Sequence, residues 1–132
     1  MSLPTPVQAL LQRPPSEVPI GLVGASNAPH KYGNIILRDL VQKGYPVLPI
    51  NPTGTTVEGR PAVTSPLELE GPVSILNFVV PPAVALRIVE SLPPGRFLVL
   101  WFQPGAFNAE VVAAAQTKAE QVIAGPCIMV ET

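Results

Sequence analysis

The chain predicts an α/β fold: a three-layer, doubly wound, mostly parallel sheet with helices on both faces. Three observations predict it. Short apolar runs (Pro19 to Val23, Tyr45 to Ile50, Val73 to Val80, Arg96 to Phe102) alternate with stretches of helical periodicity. Hydrophobic residues make up 47% of the 132 residues and charged ones only 13%, which suits strands covered on both faces. The 18 prolines cluster between these segments, as at Pro14-Pro15, Pro81-Pro82 and Pro93-Pro94, where they end strands or start helices.

The length fits one domain over residues 1–132, with residues 1–15 a short N-terminal helix and lead-in. Thr5 reads as a cap, Pro6 as the first helical position, and Val7, Leu10 and Leu11 as the apolar stripe. Pro19 to Val23 suits a buried parallel strand that Gly24 ends. Ile36, Leu37, Leu40 and Val41 recur at helical spacing, and Gly44 supplies the left-handed residue that stops the helix. Tyr45 to Ile50 is a second strand, whose two prolines disfavour a central place in the sheet. Between Thr55 and Gly71 the pattern is weak: a short strand at Pro61 to Val63 and a helical turn at Ser65 to Leu69. A strong strand follows at Val73 to Val80, then a helix through Val84, Leu86, Ile88, Val89 and Leu92. Arg96 to Phe102 is a further strand, and Asn108 caps a helix through Val111, Val112 and Ala115. Gln121 to Ala124 and Ile128 to Val130 read as final strand material. Alternation of this kind implies right-handed crossovers and a Rossmann-like sheet.

A net charge of −1 and a pI near 5.7 supply no basic field for nucleic acid or an anionic membrane surface. A bound anion must therefore be captured locally. The lone cysteine, Cys127, cannot form an internal disulfide, and no cysteine/histidine cluster has zinc-site spacing. A reducing, cytoplasmic setting is expected, with no secretory start and no spanning segment. A homodimer is compatible with the chain, but nothing in it requires one.

In doubly wound sheets ligands sit beyond the carboxyl ends of the strands, where strand order reverses. The loop after the first strand, Gly24-Ala25-Ser26-Asn27-Ala28-Pro29-His30-Lys31-Tyr32-Gly33, is suited to an anion there. Gly24 lets backbone approach a ligand, N–H groups at the helix start bond phosphate oxygens, Ser26 adds a donor and Lys31 neutralises charge. An ordinary strand–helix turn, its glycine present only for packing, accounts for the same residues. Gly21 and Gly24 do not follow the G-x-G-x-x-G spacing, and no G-x-x-x-x-G-K-[ST] run exists, which weakens dinucleotide and ATP readings. An NAD site takes an acidic side chain at the end of the second strand, where this chain has Asn51-Pro52.

Val23-Gly24-Ala25-Ser26, Lys31, Gly33, Gly44-Tyr45, Asn51-Pro52, Gly59 and Trp101-x-Gln103-x-Gly105 together resemble the small bacterial CoA-binding proteins. That family is related in fold to the CoA-binding domain of the succinate–CoA ligase alpha subunit. The resemblance runs from about Pro19 to Cys127 and implies coenzyme A as cofactor. It implies that Gly24, Ala25 and Ser26 hold the diphosphate, that Lys31 meets a phosphate, and that Tyr32 and Gly33 complete the loop. Asn51 and Pro52 would lie beside the ribose end, and Val80, Pro81 and Pro82 would pack against the adenine. The family often carries an acidic residue near Asn77 and a basic one at the position of Pro126, and this chain departs from it at both.

His30 beside Lys31 reads as an exposed side chain rather than an acid or base, since no carboxylate accompanies it. Cys127 reads as a buried structural thiol, with exchange against CoA's own sulfur as the alternative. Trp101 and Phe102 are expected in the core rather than along a pantetheine channel. Gln103 is a candidate partner for a ligand amide, whereas Asn108 is expected to cap. No catalytic grouping is evident. The leading expectation is a protein that binds CoA or acyl-CoA. The alternatives are a non-catalytic partner of an acyl-CoA ligase and an NAD(P)-binding sensor or regulator.

Overall fold

The computed structural model describes residues 3–132, so residues 1–2 of the lead-in lie outside the described residues. Helix α1 (Thr5–Leu11) begins where the Pro4 carbonyl accepts from Val7 and Gln8. Thr5 is thus inside the first turn and does not cap it. Pro4, with extended backbone at φ −55° and ψ 147°, occupies the cap position itself, leaving a threonine cap no role. Strand β1 (Ile20–Val23) follows a 3-10 turn at Pro15–Glu17.

Helix α2 (Tyr32–Gln42) ends as its spacing predicts: Gly44 takes φ +96°, Gly44 N–H donates to Val41 and Tyr45 N–H to Leu40. Strand β2 (Val47–Ile50) holds Pro49 and lies at the sheet edge, the place a proline-bearing strand tolerates. The weak region contains the expected helical turn at Pro66–Glu68, with Ser65 Oγ accepting from Leu67 N–H. Pro61 to Val63 forms no strand; Val63 alone makes a bridge, to Ile50.

Strand β3 (Ile75–Phe78) leads through Pro81 into helix α3 (Pro82–Ser91), the double proline setting the helix start. Strand β4 (Val99–Phe102) is followed by helix α4 (Ala109–Gln116), capped as expected by Asn108 Oδ1, which accepts from Val111 N–H at 2.9 Å. The last strand, β5, covers Gln121–Ala124. Ile128 to Val130, expected as strand, instead lie in a short helix, α5 (Ile128–Glu131). An apolar triplet carries no period of its own. Here Gly125 (φ +115°) and Pro126 turn the chain off the sheet edge, Ile128 is fully buried, and Lys43 Nζ donates to the Met129 carbonyl at 2.7 Å.

The five strands form one all-parallel sheet in the order β2-β1-β3-β4-β5, a Rossmann-like α/β arrangement whose order reverses between β1 and β3. Ile20, Leu22, Ile75, Val99 and Trp101 pack with α1, α2 and α5 on one face. Leu76, Phe78, Leu100 and Phe102 pack with α3 and α4 on the other, where the Phe78 and Phe102 rings stack at 4.5 Å. Both faces are covered, so the strands are mostly apolar, as the composition implies, with Asn77 in β3 and Gln121 in β5 the polar exceptions.

Two residues depart from ordinary packing. A Cβ on Gly33, in the first turn of α2, would lie 2.0 Å from the Gly24 carbonyl oxygen, so the helix start rests directly on the end of β1. Asn77 stands in register with Leu22 and Trp101, fully buried, and among the described residues no group bonds either of its amide atoms. Helix propensity alone would make Gly33→Ala stabilising by about 1 kcal/mol. The contact instead predicts a net loss of about 1–3 kcal/mol, read as a lower urea midpoint. Asn77→Leu carries the opposite sign: removing an unpaired buried amide should raise stability by about 1–3 kcal/mol, seen as a higher Tm.

Candidate functional site

At the switch point between β1 and β3 the chain turns sharply. Gly24 takes φ +98°, and a Cβ there would sit 2.6 Å from the Val79 carbonyl oxygen, so the position needs glycine for both conformation and space. Gly24 and Ala25 N–H both donate to the Ile50 carbonyl, at 3.0 and 3.2 Å, which ties the turn to the end of β2. Ser26 Oγ accepts from Ala28 N–H at 3.1 Å and keeps its own proton available as a donor.

The rest of the loop is held from behind by residues the sequence reading did not single out. Buried Asn34, on α2, donates from Nδ2 to the Ser26 carbonyl at 2.9 Å. Its Oδ1 accepts from Arg38 Nε at 2.6 Å, while another Arg38 nitrogen reaches the Pro29 carbonyl at 3.1 Å. Asn27 bonds across to Thr56 and Glu58, joining the turn to the loop after β2. The signal for this bracing was an asparagine and an arginine one helical turn apart, just after a glycine turn.

Lys31 occupies the N-cap of α2 with extended backbone, and its side chain does not cap. The first-turn N–H groups of Tyr32 and Gly33 have no preceding helical carbonyl to bond, and the helix end they belong to favours negative charge.

A cleft of about 540 Å³ lies over this turn, lined by Gly24, Ala25, Ser26, His30, Lys31, Tyr32, Gly33, Asn51, Pro52 and Val79. The structure thus brings the first-loop candidates together with Asn51 and Pro52. Val80, Pro81 and Pro82 line a neighbouring hollow of about 260 Å³ instead, with Pro104, Gly105 and Ala106. Val79, missed in the sequence, belongs to both. Asn51 is committed to its own loop: Oδ1 accepts from the Thr53 N–H and hydroxyl and from Thr55 N–H, and Nδ2 donates to the Thr55 carbonyl. Its amide shapes the cleft wall and holds no free carboxylate-like acceptor for a ribose diol.

His30 is exposed, as expected, yet stands in the cleft wall. Trp101 is fully buried, its indole N–H donating to the Pro126 carbonyl at 2.8 Å, so it belongs to the core. Gln103 is turned inward: Oε1 accepts from Ile128 N–H at 2.9 Å and Nε2 donates to Cys127 Sγ at 3.2 Å. Cys127, expected in the core, is only half-buried. Gly125 and Pro126 lead it off the strand before the chain re-enters the core at Ile128. Among the described residues no three His, Cys, Asp or Glu side chains gather as a metal site, and no helix is long and apolar enough to cross a membrane.

The chain is similar to known proteins over most of its length. It is 32% identical over 115 residues to the protein YneT of Bacillus subtilis (strain 168), covering 84% of this chain and 82% of that one. A conserved hypothetical protein of Pyrococcus furiosus is 42% identical, with a TM-score of 0.78 and coverage of 87% and 99%. A Thermus thermophilus structure is 33% identical, with a TM-score of 0.77 and coverage of 94% and 95%. The sequence pattern of the CoA binding domain matches residues 19–132, which includes the turn, the cleft and the strands that carry them. The chain belongs to the CoA-binding domain family.

Proposed function

We propose that the chain, acting as a single domain, binds coenzyme A or an acyl-CoA, with the diphosphate at the Gly24–Ser26 turn and the first turn of α2. The observation that carries this reading is the convergence, in one cleft at the switch point, of a turn that only glycine can make, the open N–H groups of Tyr32 and Gly33, the Ser26 hydroxyl and the Lys31 ammonium. Each is a donor or a positive charge, and the turn they decorate is braced by Asn34 and Arg38 against movement. A preorganised set of donors binds an anion without an ordering cost. The ribose lies along Asn51 and Pro52, and the adenine rests on the apolar surface of Val80, Pro81 and Pro82.

The chain's own residues bind and orient the ligand. His30 stands in the wall without a carboxylate partner, so the site holds no acid–base pair, and we assign it binding rather than turnover. NAD is disfavoured by the same geometry, because the Asn51 amide is occupied by Thr53 and Thr55.

Thermal unfolding with CoA, acetyl-CoA, NADH and ATP in turn separates the readings, since a ligand that binds the folded state alone raises its Tm. A rise with CoA or acetyl-CoA is expected; a rise with NADH and none with either would overturn the proposal. Ser26→Trp, placed in the open cleft, should abolish the CoA response while leaving the apo Tm nearly unchanged. Lys31→Ala should weaken CoA by up to about 1 kcal/mol, about fivefold in Kd, and the loss should shrink as salt is added. Calorimetric titration at two ionic strengths checks this.

A further inference from the structure

The two edges of the sheet differ. In an edge strand alternate residues turn their N–H and C=O outward, and a free row of such groups recruits another strand. On β2 the carbonyls of Pro46 and Ile50 bond β1, so Pro49 and Asn51 face outward. Pro49 has no N–H, its carbonyl accepts from Val63 N–H at 3.2 Å, and Asn51 N–H donates to the Val63 carbonyl at 3.1 Å. That edge is guarded by its own chain.

Nothing guards β5 in this way. Gly125 N–H donates to the Phe102 carbonyl at 3.2 Å, which, with Phe102 in register with Ala124, turns the odd-numbered residues toward β4. The N–H and C=O of Val122 and Ala124 therefore point away from the sheet, and among the described residues no group bonds them. The usual protection of an edge by charge is missing, since no charged residue occurs from Gln121 to Met129. Gln121, Val122, Ala124 and Gly125 are all partly exposed. Val122 and Ala124 share the α4 side of the sheet with Phe107, Ala114 and Ala119, which are also apolar and partly exposed.

We infer that β5 pairs antiparallel with β5 of a second copy of this chain, about a two-fold axis at Ile123, joining the two five-stranded sheets edge to edge. In that register Val122 N–H donates to the carbonyl of the partner subunit's Ala124, and the Val122 carbonyl accepts from the N–H of the partner subunit's Ala124. The axis repeats this pair, so every outward group of Val122 and Ala124 on both strands is used. The ladder stops at each end for the same reason. Pro126, which has no N–H and gives its carbonyl to the Trp101 indole, falls opposite Glu120, just before the strand begins. The two Glu120 residues then stand about 20 Å apart, roughly six residue rises along the strands, so no like charges meet.

A foreign strand matches the backbone groups alone. The second copy also sets Val122 beside Ala124, and the apolar margin along α4 beside its equal on the same face of the joined sheet. With β2 guarded and β5 used, assembly stops at two. So short a strip falls well below the roughly 20–30 residues a side of a standard interface, and the dimer should dissociate on dilution. Beyond the edge, Gly125 and Pro126 lead to Cys127, which lines a hollow of about 190 Å³ with Tyr32, Ile36, Val79, Gln103 and Pro104. Pairing along β5 thus holds the chain that runs into one wall of that hollow.

Sedimentation velocity of the full chain, from micromolar to millimolar concentration, should show monomer giving way to dimer and to nothing larger. Amide exchange followed by NMR at the two extremes reads the register. The Val122 and Ala124 amides should exchange at least about tenfold more slowly in the dimer, while the Ile123 amide, which faces β4, is protected at both extremes. Ala124→Pro removes only an outward N–H, a change an edge strand tolerates. It should keep the fold, read as a nearly unchanged Tm, and weaken the dimer at least about tenfold. Ala124→Lys keeps every N–H but sets a charge on the apolar margin, and should weaken the dimer likewise. A monomer at every concentration, an assembly larger than two, or a dimer that survives both substitutions would overturn the inference. So would a dimer whose Val122 and Ala124 amides exchange as freely as the monomer's, a result read on the unaltered chain even where a variant fails to fold.

Discussion

The approach of α2 to the end of β1 is the constraint on which the site depends. With Gly33 against the Gly24 carbonyl there is no room for even a methyl group, and the first turn of the helix is held directly above the turn that leaves the sheet. A helix set back by the width of a side chain would point its free N–H groups past the cleft rather than into it. Packing and the proposed anion recognition would therefore be one arrangement: the contact that seats the helix on the sheet also fixes where its positive end lies. The bonds from Asn34 and Arg38 to the loop carbonyls make the seating rigid, and they come from the same helix.

The fold was legible in the sequence because its elements carry strong, separable signals. Pro81-Pro82 marks a helix start, Asn108 a cap, Gly44 a stop, and each strand is an apolar run bounded by such residues. The misreadings share a physical cause. Thr5 and Pro4 compete for the same start, and the carbonyl of Pro4 decides it. Ile128 to Val130 have β-forming side chains but too few of them to set a period. The turn at Gly125-Pro126 and the core space beneath Ile128 made the segment helical.

The site was legible in part. The first-loop residues and Asn51-Pro52 do share a cleft, because strand ends in a parallel sheet bring consecutive loops together. The residues that position them were not legible: whether Asn34 reaches back to Ser26, or Asn51 turns in on its own loop, depends on angles that spacing does not encode. Cys127 shows the limit in the other direction. Its apolar neighbours read as core, yet the turn before it leaves the thiol half-buried at the wall of a hollow.

Val79 borders each of the three spaces around the switch point. It follows β3 directly, its N–H bonded to the Val23 carbonyl, so its backbone is fixed while its side chain is shared among the spaces. A single change of shape at this codon would alter all of them together. The fold thereby concentrates the evolvability of its binding surface in one place: a lineage could retune what the pocket accepts in one step, without disturbing the turn that makes it a pocket.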